Sequence, residues 1–284
     1  MKLFHLSDLH LGIKLYNYDL KEDQQHILRQ IVQYAKDEKP DAILLAGDIY
    51  DRSVPAAEAM GLLDNFVITL KQAAPDTVVL AIAGNHDNPQ RIEYLGALLR
   101  QQGVHMVGFP PRAENDAVYQ VTLQDAYGPV HFYLLPFIRT LLPAGESGED
   151  RLRYQEAVET VLRGMSLAAE ERNVLVSHQF YVPGDLTAES MERMESETYT
   201  VGNVDQVRAD QLAAFDYCAL GHIHKPTLVL GEHCRYSGTP MPYSVSEAGQ
   251  QKGIVVAELG RKGELKTRIL PLTPLRQVRC ITGT

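Results

Sequence analysis

Short apolar runs alternate along the chain with longer stretches in which apolar residues recur every three or four positions, the pattern of strands interleaved with helices. "KLFHLS" predicts the first strand, and "DAILLAGD" and "TVVLAIAGN" predict two more. Between the first two, residues 21–38 carry Ile27, Leu28, Ile31, Val32 and Ala35 at helical spacing, with Pro40 just past their end. A second helix is predicted over about residues 56–73, where Met60, Leu63, Phe66, Val67 and Leu70 repeat, and a third over about 92–100. The strand "VHFYLLP", a helix over 151–164 and the strands "NVLVSH", "DYCALGHIH" and "HCRYSGTP" continue the series. "GIVVAEL" and "TRILPL" flank "GRKG" and predict a closing antiparallel hairpin. The stretches "PAGESGED" (143–150) and "YVPGDLTAESMERMESETY" (181–199) are loops by composition. The second is long and lies beside the strand leading to His178, a setting in which loops often carry function.

Polar residues collect where these strands end. "LSDLH" puts Asp8 and His10 after the first strand, "AGD" puts Asp48 after the second, and "AGNH" puts Asn85 and His86 after the third. "VSH" delivers His178, and "LGHIH" delivers His222 and His224. In α/β sheets ligands bind beyond the carboxyl ends of the strands, so residues far apart in the chain are expected to meet there. Aspartate, imidazole and a neutral amide oxygen, without thiolate, suit borderline divalent cations such as manganese, iron or zinc. One carboxylate shared between two balanced sets of donors would hold two ions about 3.5–4 Å apart, the arrangement for in-line attack on phosphate esters. Glycines precede Asp48, Asn85 and His222 and are expected to let the backbone turn sharply at the strand ends, where a bulky side chain would crowd the ions. Taken singly, an aspartate after a strand reads as a turn former and a histidine as a packed side chain; five strand ends carrying donors together read as a metal centre. His5, His26, His105, His131 and His233 lie outside these motifs and are read as structural, with His105 and His131 flanking strands. Cys218 is read as a core residue.

Composition narrows the class. The 284 residues are 45% hydrophobic and 22% charged, enough for one large core and one main domain. A formal net charge of −9 argues against nucleic-acid binding driven by bulk charge, so such a partner would be held locally. Three cysteines without C-x-x-C spacing fit a reducing cytoplasm. No apolar run approaches the ~20 residues that a membrane helix needs, which implies no membrane partner.

Five blocks in order, "DLH", "GDIYD", "GNHD", "SHQF" and "GHIH", resemble the calcineurin-like metallophosphoesterase superfamily. "LSDLHLG", "AGDIYDRSVP" and "GHIHKP" followed by "RYSGTPMPYSVSE" are similar to one branch of it, the nuclease subunits of SbcCD type that act in bacterial DNA break repair. The resemblance implies an α/β fold with central mixed sheets flanked by helices, an αββα sandwich. It implies that Asp8, His10 and His224 hold one ion, Asn85, His178 and His222 the other, and that Asp48 bridges them. His86 would then be the catalytic histidine that is not a ligand, with Asp87 orienting it, and the nucleophile a water activated by the cations. Two Mn2+ are the implied cofactors, with Mg2+, Fe2+ or Zn2+ as alternatives. The implied activities are 3'-to-5' exonuclease on duplex ends and endonuclease on single strands and hairpins, in DNA repair, recombination and replication.

Asp51 stands where some relatives carry histidine, so the nucleotide-positioning role of that histidine does not transfer. Residues 1–270 are read as the nuclease domain, and 271–284, ending "PLRQVRCITGT", as the start of a capping domain largely missing from the chain. No G-x-x-x-x-G-K-[ST] is present, so ATP hydrolysis is expected to belong to an SbcC-type ATPase partner. Lys14, Arg52, Arg91 and Lys225 lie near the metal motifs and are the expected DNA contacts. A homodimer is implied, with Met60, Leu63, Phe66, Tyr94 and Leu98 across its axis; burial against their own sheet is the competing role. Two other functions compete: a metallophosphoesterase acting on a small phosphodiester or phosphoprotein, and a noncatalytic scaffold on the same fold.

Overall fold

The computed structural model describes residues 1–111, 116–139, 148–183 and 206–281. β1 (Lys2–Leu6) leads through a small hairpin, β2 (Lys14–Leu15) and β3 (Tyr18–Asp19), to α1 (Lys21–Glu38), β4 (Ala42–Ala46), α2 (Ala57–Ala73) and β5 (Val78–Ile82). Next come α3 (Pro89–Ile92), α4 (Gly96–Arg100), β6 (Val104–Val107), β7 (Tyr119–Asp125), β8 (Gly128–Leu135) and α5 (Gly148–Arg163). β9 (Arg172–Ser177), β10 (Phe180–Val182), β11 (Gln206–Arg208) and β12 (Tyr217–Leu220) follow. β13 (Thr227–Leu228), β14 (Cys234–Tyr236), β15 (Gly253–Leu259) and β16 (Leu265–Pro271) complete the described chain.

Two six-stranded mixed sheets result. One runs β16-β15-β1-β4-β5-β6 and the other β13-β14-β12-β9-β8-β7. In the first, β1, β4, β5 and β6 are parallel; in the second, β8, β9, β12 and β14 are. The alternation of side chains along a strand explains the layering. In β4, Ile43 and Leu45 face α1 and α2, while Ala42, Leu44 and Ala46 face the second sheet. Both faces are therefore apolar, which is why the run "AILLA" has no polar residue. Between the sheets Leu44, Leu80 and Ile82 pack with Phe132, Leu134, Val174 and Val176. On the far side of the second sheet, Tyr154, Val158 and Leu162 of α5 cover Leu175 and Leu220. The expected αββα sandwich of mixed sheets is thus the observed one. Each fully buried Leu or Ile in these layers contributes about 1.5–3 kcal/mol relative to exposure.

α1 has the expected span because Ile27, Leu28, Ile31 and Ala35 form one buried stripe. It stops where Lys39 turns left-handed (φ 47°), its N–H returning to the Ala35 carbonyl, directly before Pro40. The third expected helix is instead two short ones, α3 and α4, separated at Leu95, which is left-handed at φ 57°. α5 begins at Gly148, inside the stretch expected to be loop, and Tyr181 and Val182, expected to open the longer loop, belong to β10; residues 143–147 of the first loop and 184–199 of the second lie outside the described residues. His105 and His131 sit within β6 and β8 rather than beside strands. Phe66 is interior, packed under α2, so it is not available to a second copy of the chain. No helix among the described residues is long and apolar enough to cross a membrane.

Candidate metal centre

The carboxyl ends of β1, β4, β5, β9 and β12 open onto one edge of the sandwich, and the loops leaving them are laced together. The Asp8, His10 and Leu11 amides donate to the carbonyls of Gly47, Asp48 and Ile49 at 3.0, 3.0 and 2.9 Å. This ladder holds an unusual backbone. Asp8 (φ 53°), His10 (φ 41°), Asp48 (φ 50°) and His222 (φ 101°) all have positive φ without being glycine. Such conformations cost of order 1–3 kcal/mol each and persist where surrounding structure enforces them, typically at functional sites.

The side chains converge as the strand ends predicted. Oδ2 of Asp48 lies 3.3 Å from Nε2 of His178 and 3.7 Å from Nε2 of His10. Nε2 of His10 faces Nε2 of His224 at 3.1 Å. Oδ1 of Asn85 stands 3.1 Å from Nε2 of His178 and 3.0 Å from Nδ1 of His222. Asp8, His10 and His224 offer donor atoms within 4.8 Å of one another, as do Asp8, Asp48 and His178, and also His10, Asp48 and His86. Asp8, His10, Asp48, His178, His222 and His224 are buried, whereas Asn85 and His86 are half-buried and open towards solvent.

The chemistry of this donor set fits divalent cations. Nδ1 of His178 bonds the Ala46 carbonyl at 2.7 Å, which fixes the proton there and turns the Nε2 lone pair inward. Burial holds the His10 imidazole well below its ordinary pKa, against the pull of Asp48, so it is neutral as a ligand must be. Burial also acts to lower His178, but Asp48, Asp8 and the Ala46 carbonyl outweigh it and hold that imidazole at about 9. Buried carboxylates thus call for positive charge nearby, and a divalent ion supplies it while leaving the imidazoles neutral.

Three glycines make the approach possible. A Cβ on Gly47 (φ 88°) would fall 2.2 Å from the His178 ring, and one on Gly84 would fall 2.1 Å from Oδ1 of Asp48. A Cβ on Gly221 would meet the Ala46 carbonyl at 1.8 Å. Only Gly47 of these three needs a positive φ; Gly84 and Gly221 are required for close contact rather than for a sharp turn.

His86 is placed through its backbone and one ring nitrogen. Its N–H donates to Oδ1 of Asp48 at 2.8 Å, and Nδ1 lies 2.8 Å from the Asp51 carbonyl. The expectation that Asp87 orients this ring is corrected. The Asp87 carboxylate is buried and accepts from the amides of Gly84, Ile49 and Tyr50 at 2.9–3.0 Å, so it ties the loop after β5 to the loop after β4. Burial and the Asp48 charge push that carboxyl up to about 6 against those three amides.

Of the expected DNA contacts, Lys14, Arg52 and Arg91 are exposed and Lys225 is half-buried. Arg52 pairs with Asp51 at 3.3 Å. Sequence reasoning missed Arg139, an exposed residue whose guanidinium donates to the carbonyls of Asn85 and Asp87 and lies 6.0 Å from the Phe137 ring centroid. Phe137 in turn stacks on His222, with ring centroids 6.3 Å apart. Its signal was the cation in "PFIRT", just past a strand end that supplied no other donor.

Two mixed sheets feeding aspartate, histidine and asparagine donors into one strained edge define a metal-dependent phosphoesterase. The model of the calcineurin-like phosphoesterase family matches residues 1–226, and the chain belongs to that family. The whole chain is 32% identical to the SbcD subunit of the SbcCD nuclease of Staphylococcus epidermidis and covers 72% of that protein. It is 33% identical to the protein of the same name from Staphylococcus saprophyticus, again over all of this chain and 72% of the relative. Among solved structures, TT1561 of Thermus thermophilus aligns over 94% of this chain and 98% of its own, at 14% identity and a TM-score of 0.47.

Proposed function

We propose that the chain is the manganese-dependent nuclease subunit of an SbcCD-type complex. In this reading it hydrolyses DNA phosphodiesters 3'-to-5' at duplex ends and internally in single strands and hairpins, in repair, recombination and replication within the cytoplasm. The observation that carries the reading is Asp48, one oxygen of which stands 3.3 and 3.7 Å from imidazoles belonging to two different donor sets. Asp8, His10 and His224 would hold one cation, Asn85, His178 and His222 the other, with Asp48 shared. Mixed oxygen and nitrogen donors without thiolate favour manganese, with magnesium, iron and zinc as the alternatives to be tested. When bound, such cations polarise a phosphate and make an attacking water available near neutral pH.

The chain's own residues supply the rest. With Nδ1 of His86 held at the Asp51 carbonyl, Nε2 is the atom this ring would turn to the phosphate, to protonate the leaving oxygen. The exposed Lys14, Arg52, Arg91 and Arg139, with Lys225, would bind neighbouring phosphates locally, as the net negative charge of the chain requires. Similarity to two proteins named as SbcCD nuclease subunits supports DNA as substrate and an SbcC-type ATPase as partner. A groove of about 380 Å³ lined by Met60, Leu63, Val67, Tyr94, Leu95 and Leu99 supports a homodimer through this face. Met60, Tyr94 and Leu95 are 43%, 70% and 55% exposed there, an apolar surface that a second copy would cover.

The test is cleavage of end-labelled duplex and hairpin DNA with manganese, with magnesium and with a chelator, beside a small chromogenic phosphodiester. Cutting of both DNAs with manganese and none with chelator is expected. Hydrolysis of the small ester with intact DNA would instead establish the small-phosphodiester reading.

A further inference from the structure

The block "RYSGTPMPYSVSE" has no donor at the metal centre, yet it packs directly behind one. Glu247, the last residue of that block, is fully buried, and Lys252, five residues on, is 3% exposed. They form an ion pair at 2.7 Å between Nζ and Oε2. The other carboxylate oxygen, Oε1, lies 3.7 Å from Nδ1 of His224, on the side of that ring opposite the nitrogen facing His10. Lys252 reaches the same residue from its backbone side and donates to the His224 carbonyl at 2.8 Å. That carbonyl also accepts from the Thr239 amide at 3.1 Å, and the Thr239 hydroxyl donates to Oε2 of Glu247 at 2.8 Å. Ser244 and the Tyr243 amide donate to Oε1 at 3.1 and 3.3 Å.

A buried ion pair is a weak device for stability alone, since apolar side chains of similar volume commonly do as well. What apolar residues cannot supply is an acceptor beside Nδ1 of a histidine whose Nε2 is required as a donor atom. We propose that Glu247, braced by Lys252, is a positioning residue that holds the His224 imidazole as the Nδ1–H tautomer and aims Nε2 at the cation shared with Asp8 and His10. This rests on the metal reading of the site given above. It assigns the ion pair to the cation of Asp8, His10 and His224, because His178 and His222 have other contacts of their own, at the Ala46 carbonyl and the Phe137 ring. Outer partners of this kind typically change metal affinity 10–100-fold.

The experiment is a titration with Mn2+ alone, followed by calorimetry and by the paramagnetic signal of free manganese, on the full chain. The paired change Glu247→Met with Lys252→Met removes the acceptor without leaving an orphaned charge. A second pair, Glu247→Gln with Lys252→Met, restores an acceptor oxygen. Expected are two ions in the unaltered chain, a roughly 10–100-fold weaker affinity at one of them in the methionine pair, the other unchanged, and partial recovery in the glutamine pair. Thermal unfolding without metal separates a general loss of packing from this effect: the two pairs should melt alike. If the unaltered chain binds two ions and the methionine pair binds both equally well, or the glutamine pair recovers nothing, the positioning role is wrong. An unaltered chain that binds no manganese would overturn the metal reading itself.

Discussion

Oδ2 of Asp48 and Nε2 of His178 stand 3.3 Å apart although their strands, β4 and β9, belong to different sheets. The pair joins a loop of one sheet to a loop of the other, and the same Asp48 oxygen lies 3.7 Å from Nε2 of His10, so in the proposed assignment it touches both donor sets. Replacing Asp48 with asparagine should therefore deplete both cations at once. Metal analysis after dialysis against manganese checks this; loss of a single ion would mean that Asp48 serves one side alone.

His86 predicts the opposite pattern. It is half-open to solvent and held at the Asp51 carbonyl, and in the proposed assignment it is not a ligand. His86→Ala should keep the manganese content of the unaltered chain and lose about 10²–10⁴-fold in kcat, the usual contribution of a general acid. Single-turnover cleavage with manganese saturating is the measurement, and normal cutting would contradict the assigned role.

Gly84→Ala tests the close packing. Its φ is not in the left-handed region, so alanine's own dihedrals are allowed, but the new Cβ would fall 2.1 Å from Oδ1 and 2.4 Å from the backbone nitrogen of Asp48. Both the carboxylate and the loop backbone that carries it must move, and overpacking costs about 1–3 kcal/mol, occasionally more. A fall in manganese affinity larger than the fall in melting temperature implies is expected from parallel titration and calorimetry.

Acid stability has a source far from the metal centre. Arg172, 2% exposed, bonds both oxygens of Asp125 and holds that carboxyl well below the usual carboxylate range. A depressed folded-state pKa contributes stability that is full above the unfolded value of about 4 and is lost as pH falls below it. Asp125→Asn should melt lower than the unaltered chain at pH 7, and the gap should close as pH drops through 4 and below. Melting curves from pH 3 to 7 decide the matter; a gap that stays constant with pH would mean that Asp125 acts through packing alone.

The convergence of five strand ends is readable in the sequence because the apolar runs of β1, β4, β5, β9 and β12 each stop at a donor, and α1 because Ile27, Ile31 and Ala35 share one stripe. β7 is absent from the expected strands although Tyr119, Val121 and Leu123 alternate with polar residues, the signal of a half-buried strand. The break between α3 and α4 is hidden because it depends on Leu95 taking a left-handed conformation that its side chain does not announce. At the site, the donors are legible and their supports are not. Asp87 follows His86 directly, yet its partners are amides of another loop, and Glu247 and Arg139 reach the centre only through the fold. Adjacency in sequence identifies which residues sit at an edge, whereas hydrogen-bond partners depend on how separate edges are brought together.

Anomalous scattering from crystals grown with manganese tests the central claim most directly. Two peaks about 3.5–4 Å apart, one on each side of the Asp48 carboxylate, are predicted, with Asp8, His10 and His224 around one and Asn85, His178 and His222 around the other. A single peak, or peaks that leave Asp48 outside the bridge, would contradict it.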